Sequence, residues 1–164
     1  RLTSSASEIE RRSVAERVAR SRNALTHYIY EALRFRPMLP LLVRDCPRET
    51  IIANGTGRVR IVLAGARVLA APLAAMFDPD AFPQPWRFDP QRPLESYIHF
   101  GDGERRCFGR YVAENALMEM VRALLRLPGL ARASGAEGQI RYEGPAPYSF
   151  VLTFNKQTIG TRER

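Results

Sequence analysis

The sequence predicts a mainly α chain carrying small antiparallel β elements, an α+β arrangement. Two stretches, from Leu25 to Leu33 and from Val112 to Leu124, repeat apolar residues at three- and four-residue steps, the period of a helix with one covered face. Between them lie short β-branched runs beside the turn signals Asn54-Gly55 and Ala64-Gly65-Ala66. Residues 78–93, D-P-D-A-F-P-Q-P-W-R-F-D-P-Q-R-P, carry five prolines, so this stretch is a fixed coil and not a helix or strand.

In chain order, residues 1–23 read as a polar lead-in helix, with Ser7 as cap and Glu10 completing a capping box. Residues 24–36 form a second helix with the stripe Leu25, Tyr28, Ile29, Ala32 and Leu33, stopped by Pro37 and Pro40. Glu31 and Arg34 lie three apart, opposite that stripe, and spacing alone makes them an exposed ion pair worth a few tenths of a kcal/mol. A small antiparallel sheet is expected over 50–76, from Thr50–Ala53, Val59–Leu63 and Arg67–Ala71, the last two flanking Ala64-Gly65-Ala66. The Pro-rich coil covers 78–96, a cysteine loop 97–109, and a buried helix 108–127 that stops at Pro128-Gly129. A hairpin across G-P-A-P is expected over 139–154, and 155–164 reads as a frayed polar tail.

At 164 residues, starting on Arg1, the chain reads as one partial domain of a longer polypeptide. Its net charge is +8, from 25 basic against 17 acidic residues, and Lys156 is the only lysine. No basic-aromatic array accompanies that charge, which argues against a nucleic-acid partner. No apolar run has the length of a membrane span. Cys46 and Cys107 do not make a disulfide framework, so a reducing, cytoplasmic setting with no disulfide-linked partner is expected. A zinc site from Cys46, Cys107, His27 and His99 lacks any close pair of ligands.

Chemistry concentrates in Phe100–Gly109, F-G-D-G-E-R-R-C-F-G. Gly101 and Gly103 permit positive φ and a tight loop before Cys107. A helix starting just after the sulfur offers unpaired amides and a dipole that favour a thiolate. Gly109 leaves room for a flat, bulky group, and Arg105 can pair with a carboxylate on it. Cys46 has neither a glycine loop nor a following helix and reads as inert. His99 reads as a polar packing residue.

On Phe100, Gly103, Arg105, Cys107 and Gly109 the loop resembles the F-x-x-G-x-R-x-C-x-G signature of the cytochrome P-450, or haem-thiolate, family. E-A-L-R-F-R-P at Glu31–Pro37 and P-W-R-F at 85–88 resemble two further motifs of that family, in the same order, although Trp86 stands where an acidic residue is usual. The resemblance implies the C-terminal, haem-proximal portion of that fold, with haem b (iron protoporphyrin IX) as cofactor. It implies that Cys107 is the axial iron ligand and that Phe100, Gly101, Gly109, Arg105 and Arg44 border the haem, the two arginines on its propionates. It makes Glu31, Arg34 and Arg87 a buried structural trio. The implied activity is oxygen insertion into a small hydrophobic organic substrate, with a fatty acid as one candidate, and Arg106, Arg110, Arg122 and Arg126 could face an acidic electron-transfer protein. Two alternatives stand beside it. Y-I-H-F-G-D-G and G-Q-I-R-Y-E-G-P-A-P also resemble the haem-thiolate halves of peroxidase fusions that isomerise fatty-acid hydroperoxides, and a truncated relic would bind haem without turnover.

Overall fold

The computed structural model describes residues 13–144 and 146–155. The chain falls into two compact units: a loop unit, Tyr30–Cys107, and a helix unit formed by the residues up to Ile29 and those from Phe108 onward. The Ser7–Glu10 capping box and the end of the tail lie outside the described residues.

Helical residues 13–20 (α1) lead into α2, Arg22–Phe35. Ser21 caps α2, its Oγ accepting the Ala24 amide at 3.3 Å. The face that α2 buries differs from the one expected. Leu25 and Tyr30 are covered, but so are Glu31 and Arg34, while Ala32 of the apolar stripe is exposed. A carboxylate and a guanidinium can sit there because each is paired with the other and hydrogen-bonded by further groups.

In the loop unit, β1 (Leu42–Asp45) pairs antiparallel with β4 (Arg67–Ala70), and β2 (Thr50–Ile52) with β3 (Arg60–Val62). The small antiparallel sheet expected over 50–76 is thus two two-stranded ladders, one of which takes β1 from outside that range, and β3 and β4 do not pair with each other. Ala53 to Thr56, centred on Asn54-Gly55, turns β2 into β3, with the Thr56 amide on Ala53 O at 3.2 Å. Ala64-Gly65-Ala66 is the corner between the two ladders. There the Cys46 amide donates to Ala66 O at 2.9 Å and the Gly65 amide to Cys46 O at 2.7 Å. Pro47, which has no N–H, follows Cys46 directly, so the β1–β4 pairing goes no further than the Cys46 bonds. The short α3 (Pro72–Ala75) precedes the Pro-rich coil. The core of this unit is Tyr30, Met76, Phe82 and Tyr97, with Leu94, Ile98 and Phe100 against it.

In the helix unit, α4 runs Arg110–Leu125 with Gly109 as N-cap, two residues later than expected, and Phe108 is fully exposed. Met118 is its only buried residue, and Thr26 Oγ1 reaches Met118 Sδ at 2.9 Å. Tyr111, Val112, Met120 and Leu124 are exposed, so the expected buried stripe is an open apolar face in this chain. β5 (Ala131–Arg132) pairs with β8 (Leu152–Thr153), and β6 (Arg141–Glu143) with β7 (Ala146–Ser149). The C-terminal hairpin is thus tighter than expected: Pro147 lies inside β7, opposite Tyr142, and Leu152–Thr153 leaves it for β5. The fold class remains α+β. Among the described residues no helix is long and apolar enough to cross a membrane.

Candidate functional site

The cysteine loop is closed by three backbone bonds within the loop unit. The Gly101 amide donates to Ile98 O at 3.0 Å, the Arg106 amide to Gly103 O at 3.1 Å, and the Cys107 amide to Phe100 O at 2.7 Å. Gly101 (φ 73°) and Gly103 (φ 64°) both hold the left-handed conformation that glycine adopts without strain. A Cβ on Gly101 would also meet Arg105 O at 3.4 Å. Between them and the cysteine, Gly103–Arg105 makes one 3-10 turn. The result presents Cys107 as an exposed free thiol, whereas Cys46 is half-buried with its Sγ 2.9 Å from Arg48 O.

Around the loop, Phe100 is half-buried and packs its ring 6.4 Å from that of Tyr30, while Arg105 is exposed. Arg44 is exposed on β1, its guanidinium on Val43 O at 2.9 Å. Among the described residues neither arginine has an ion-pair partner. In the helix unit Gly109 is exposed at the N-cap of α4. Of the four expected surface arginines, three are in local pairs: Arg106 with Asp102 at 2.7 Å, Arg110 with Glu114 at 2.7 Å, and Arg122 with Glu119 at 3.0 Å.

The loop unit also holds a buried ionic cluster. Arg34 grips Glu31 bidentately, Nε to Oε2 at 2.9 Å and Nη2 to Oε1 at 2.8 Å, both side chains being 0% exposed. Arg34 also donates to Met76 O at 3.0 Å and Arg87 O at 3.2 Å, and lies over the rings of Phe35 and Phe77. The third member is Arg92, which corrects the expectation for Arg87. Arg92 is 8% exposed, with Nε 3.4 Å from Glu31 Oε1 and its other nitrogens on the carbonyls of Pro83, Gln84 and Arg87. Arg87 contributes its carbonyl, and its exposed guanidinium reaches only Gln84 Oε1 at 3.4 Å. Turning the coil so that carbonyl 87 faces inward sends side chain 87 outward.

Two members of the cluster escaped the sequence reading. The Asp89 amide donates to Glu31 Oε1 at 2.9 Å, and the Tyr97 hydroxyl to Glu31 Oε2 at 2.7 Å. Burial pushes the Glu31 carboxyl up, but Arg34, the Asp89 amide and Tyr97 outweigh it and leave it below its usual range. Burial, then the Glu31 carboxylate, push the Tyr97 hydroxyl well up. His99 stacks on Tyr97 (5.2 Å, 21°) with Nε2 on Tyr30 O at 2.8 Å, and burial holds its imidazole below the usual value.

An exposed thiol on a glycine loop, with an unpaired arginine two residues before it, suits one soft ligand to a metal in a ring that bears carboxylates. Comparison with known proteins gives the family. Residues 9–129 match the Cytochrome P450 family model, and the chain belongs to that family, which carries haem. It is similar to the bifunctional dioxygenase (DOX)-epoxy alcohol synthase (EAS) of Fusarium oxysporum (strain Fo5176), 37% identical over 128 residues, covering 78% of this chain and 10% of the relative. It is also similar to the echilunin cytochrome P450 monooxygenase of Aspergillus ruber (strain CBS 135680), 32% identical over 140 residues, covering 81% of this chain and 25% of that protein. The crystal structure of CalO2 superposes with a TM-score of 0.70 at 26% identity, covering 86% of this chain and 35% of that one. The chain thus spans a small part of these proteins' length.

Proposed function

We propose that Cys107 would hold the iron of a haem in an enzyme that inserts oxygen into a small hydrophobic organic substrate. The carrying observation is the loop itself, an exposed sulfur on a backbone closed by the Cys107–Phe100 bond and the two left-handed glycines. Bound there, a haem would supply oxidation chemistry, to which a thiolate ligand would lend electron density. This chain's own residues do the rest on the proximal side. Cys107 would bind the iron, and the amides of Phe108 and Gly109 would moderate the sulfur by hydrogen bonding. Arg105 and Arg44, with no carboxylate partner among the described residues, would take the propionates. No residue of this chain is assigned to the substrate side, and turnover is expected only from the full-length protein. The test is the carbon monoxide difference spectrum of the reduced, haem-loaded, full-length protein. A strongly red-shifted Soret band supports cysteinate ligation, and a histidine-type band refutes it.

The Fusarium relative, named a dioxygenase and epoxy alcohol synthase, gives reason for a second reading: rearrangement of a fatty-acid hydroperoxide without an electron donor. An acidic electron-transfer partner would then have no role. The local pairing of Arg106, Arg110 and Arg122 is consistent with that, because it lowers the positive field of those side chains. Turnover of a fatty-acid hydroperoxide with no reductant present separates the two readings.

A further inference from the structure

We infer that Tyr97 and His99 are positioning residues, a paired tether from helix α2 that sets where Cys107 stands. The inference rests on reading Cys107 as the iron ligand. Tyr97 is in extended backbone (φ −85°, ψ 134°), and its ring stacks on that of His99, so the two side chains lie together on one side of the chain. Both reach α2, at adjacent residues. The Tyr97 hydroxyl donates to the Glu31 carboxylate at 2.7 Å, and His99 Nε2 lies 2.8 Å from the Tyr30 carbonyl. A carbonyl only accepts, so Nε2 carries the proton. Nδ1 is then the bare nitrogen, and it is buried with no partner.

The rings fix the same geometry a second way. Tyr97 and His99 stack on each other, and Tyr30 presents its edge to both, at 5.6 Å (79°) and 5.3 Å (72°). Phe100 follows directly and accepts the Cys107 amide on its carbonyl at 2.7 Å. Between Phe100 and Cys107 no side chain is buried, so the loop has no core of its own to locate it. Its position is inherited through Phe100 from the two anchors. Glu31 itself cannot drift, because Arg34, Arg92 and the Asp89 amide hold the same carboxylate. The ionic cluster therefore positions the sulfur as well as the Pro-rich coil, and Tyr97 is the connection.

The test uses the full-length protein with Tyr97→Phe, His99→Phe and His99→Gln. The two phenylalanine variants keep a ring and lose one donor, whereas glutamine places an amide N–H where Nε2 stood. In the haem-loaded protein the readout is the share of the carbon monoxide complex with the cysteinate-type band, at equal haem content. In the haem-free protein it is hydrogen exchange at the Cys107 amide. Each phenylalanine variant is expected to lower the cysteinate-type share several-fold and to speed Cys107 exchange by at least about tenfold, the scale of one buried hydrogen bond. His99→Gln is expected to restore both, while the β1–β4 amides keep their wild-type rates. Wild-type bands and wild-type Cys107 exchange in both phenylalanine variants would overturn the tether. Equal acceleration at β1–β4 would do so too, since the loss would then be global. A wild-type protein with no cysteinate-type band, but with the expected exchange pattern, would instead sink the ligand reading and leave the tether standing.

Discussion

Arg92 and Arg87 lie in the same Pro-rich coil, and the structure gives them opposite fates, so the pair makes a quantitative test. Arg92→Met removes a side chain that is 8% exposed and makes contacts to Glu31 and to three carbonyls at 2.9–3.4 Å. Breaking a buried ion pair from one side costs roughly 3–5 kcal/mol. Here Glu31 keeps Arg34, Tyr97 and the Asp89 amide, which places the loss near the lower end, about 3 kcal/mol. The Pro83, Gln84 and Arg87 carbonyls lose Arg92 as a donor, which keeps the cost from falling much further. Arg87→Met removes one exposed contact at 3.4 Å and should change stability by no more than about 0.5 kcal/mol. At roughly 2–4 °C per kcal/mol for a domain of this size, Arg92→Met lowers the midpoint by about 6–12 °C while Arg87→Met leaves it in place. Thermal unfolding followed by circular dichroism reads both. Equal shifts, or a larger one for Arg87→Met, would refute the assignment.

Cys107→Ser is expected to abolish the cysteinate-type carbon monoxide band, while Cys46→Ser, at a half-buried thiol already on Arg48 O, leaves it unchanged. Gly101→Ala puts a Cβ on a residue at φ 73° and 3.4 Å from Arg105 O, so a loss of about 1–2 kcal/mol is expected in urea unfolding. Glu31→Gln tests the pH dependence. The Glu31 carboxyl is held below its ordinary 4.5, so its ionised form stabilises the fold above that value and the contribution disappears as pH falls through the lowered folded value. The variant should therefore be less stable than wild type at pH 7, and the gap should narrow below about pH 4. A gap that widens on acidification would contradict the sign.

Much of the loop was legible because backbone chemistry writes it locally. Gly101 and Gly103 do hold positive φ, Asn54-Gly55 does turn a hairpin, and prolines do keep 78–93 out of regular structure. Strand pairing was not legible. β2 is exposed at all three residues and β1 at three of its four, so no alternation between covered and open faces exists to record a register. β5 and β8 are two residues each and meet across the sequence from 132 to 152, a pairing no local pattern encodes. Arg87 and Arg92 share residue type and coil, and only the turn of the chain at 87 decides which side chain goes in. Tyr97 had no signal at all, since a tyrosine beside an apolar run reads as core, and the carboxylate it bonds lies 66 residues earlier.

Helix α4 shows the remaining limit most plainly. Its period was read correctly, but period and burial are different statements. A repeat of apolar residues says that a face would gain from being covered, by about 25 cal/mol for each Å² removed from water. It does not say which surface covers it. In α4, Met118 is buried while Tyr111, Val112, Met120 and Leu124 stand open, with Ala116 exposed between them. Arg110 with Glu114 and Arg122 with Glu119 pair along the same helix, and the pairing lets Arg110, Glu114 and Arg122 be partly covered while the apolar residues stay open. Helix α2 makes the complementary point, because its most deeply buried residues include the ion pair and exclude Ala32 of its stripe. A hydrophobic pattern locates a helix well and orients it poorly wherever a satisfied ionic cluster competes with apolar side chains for the interior.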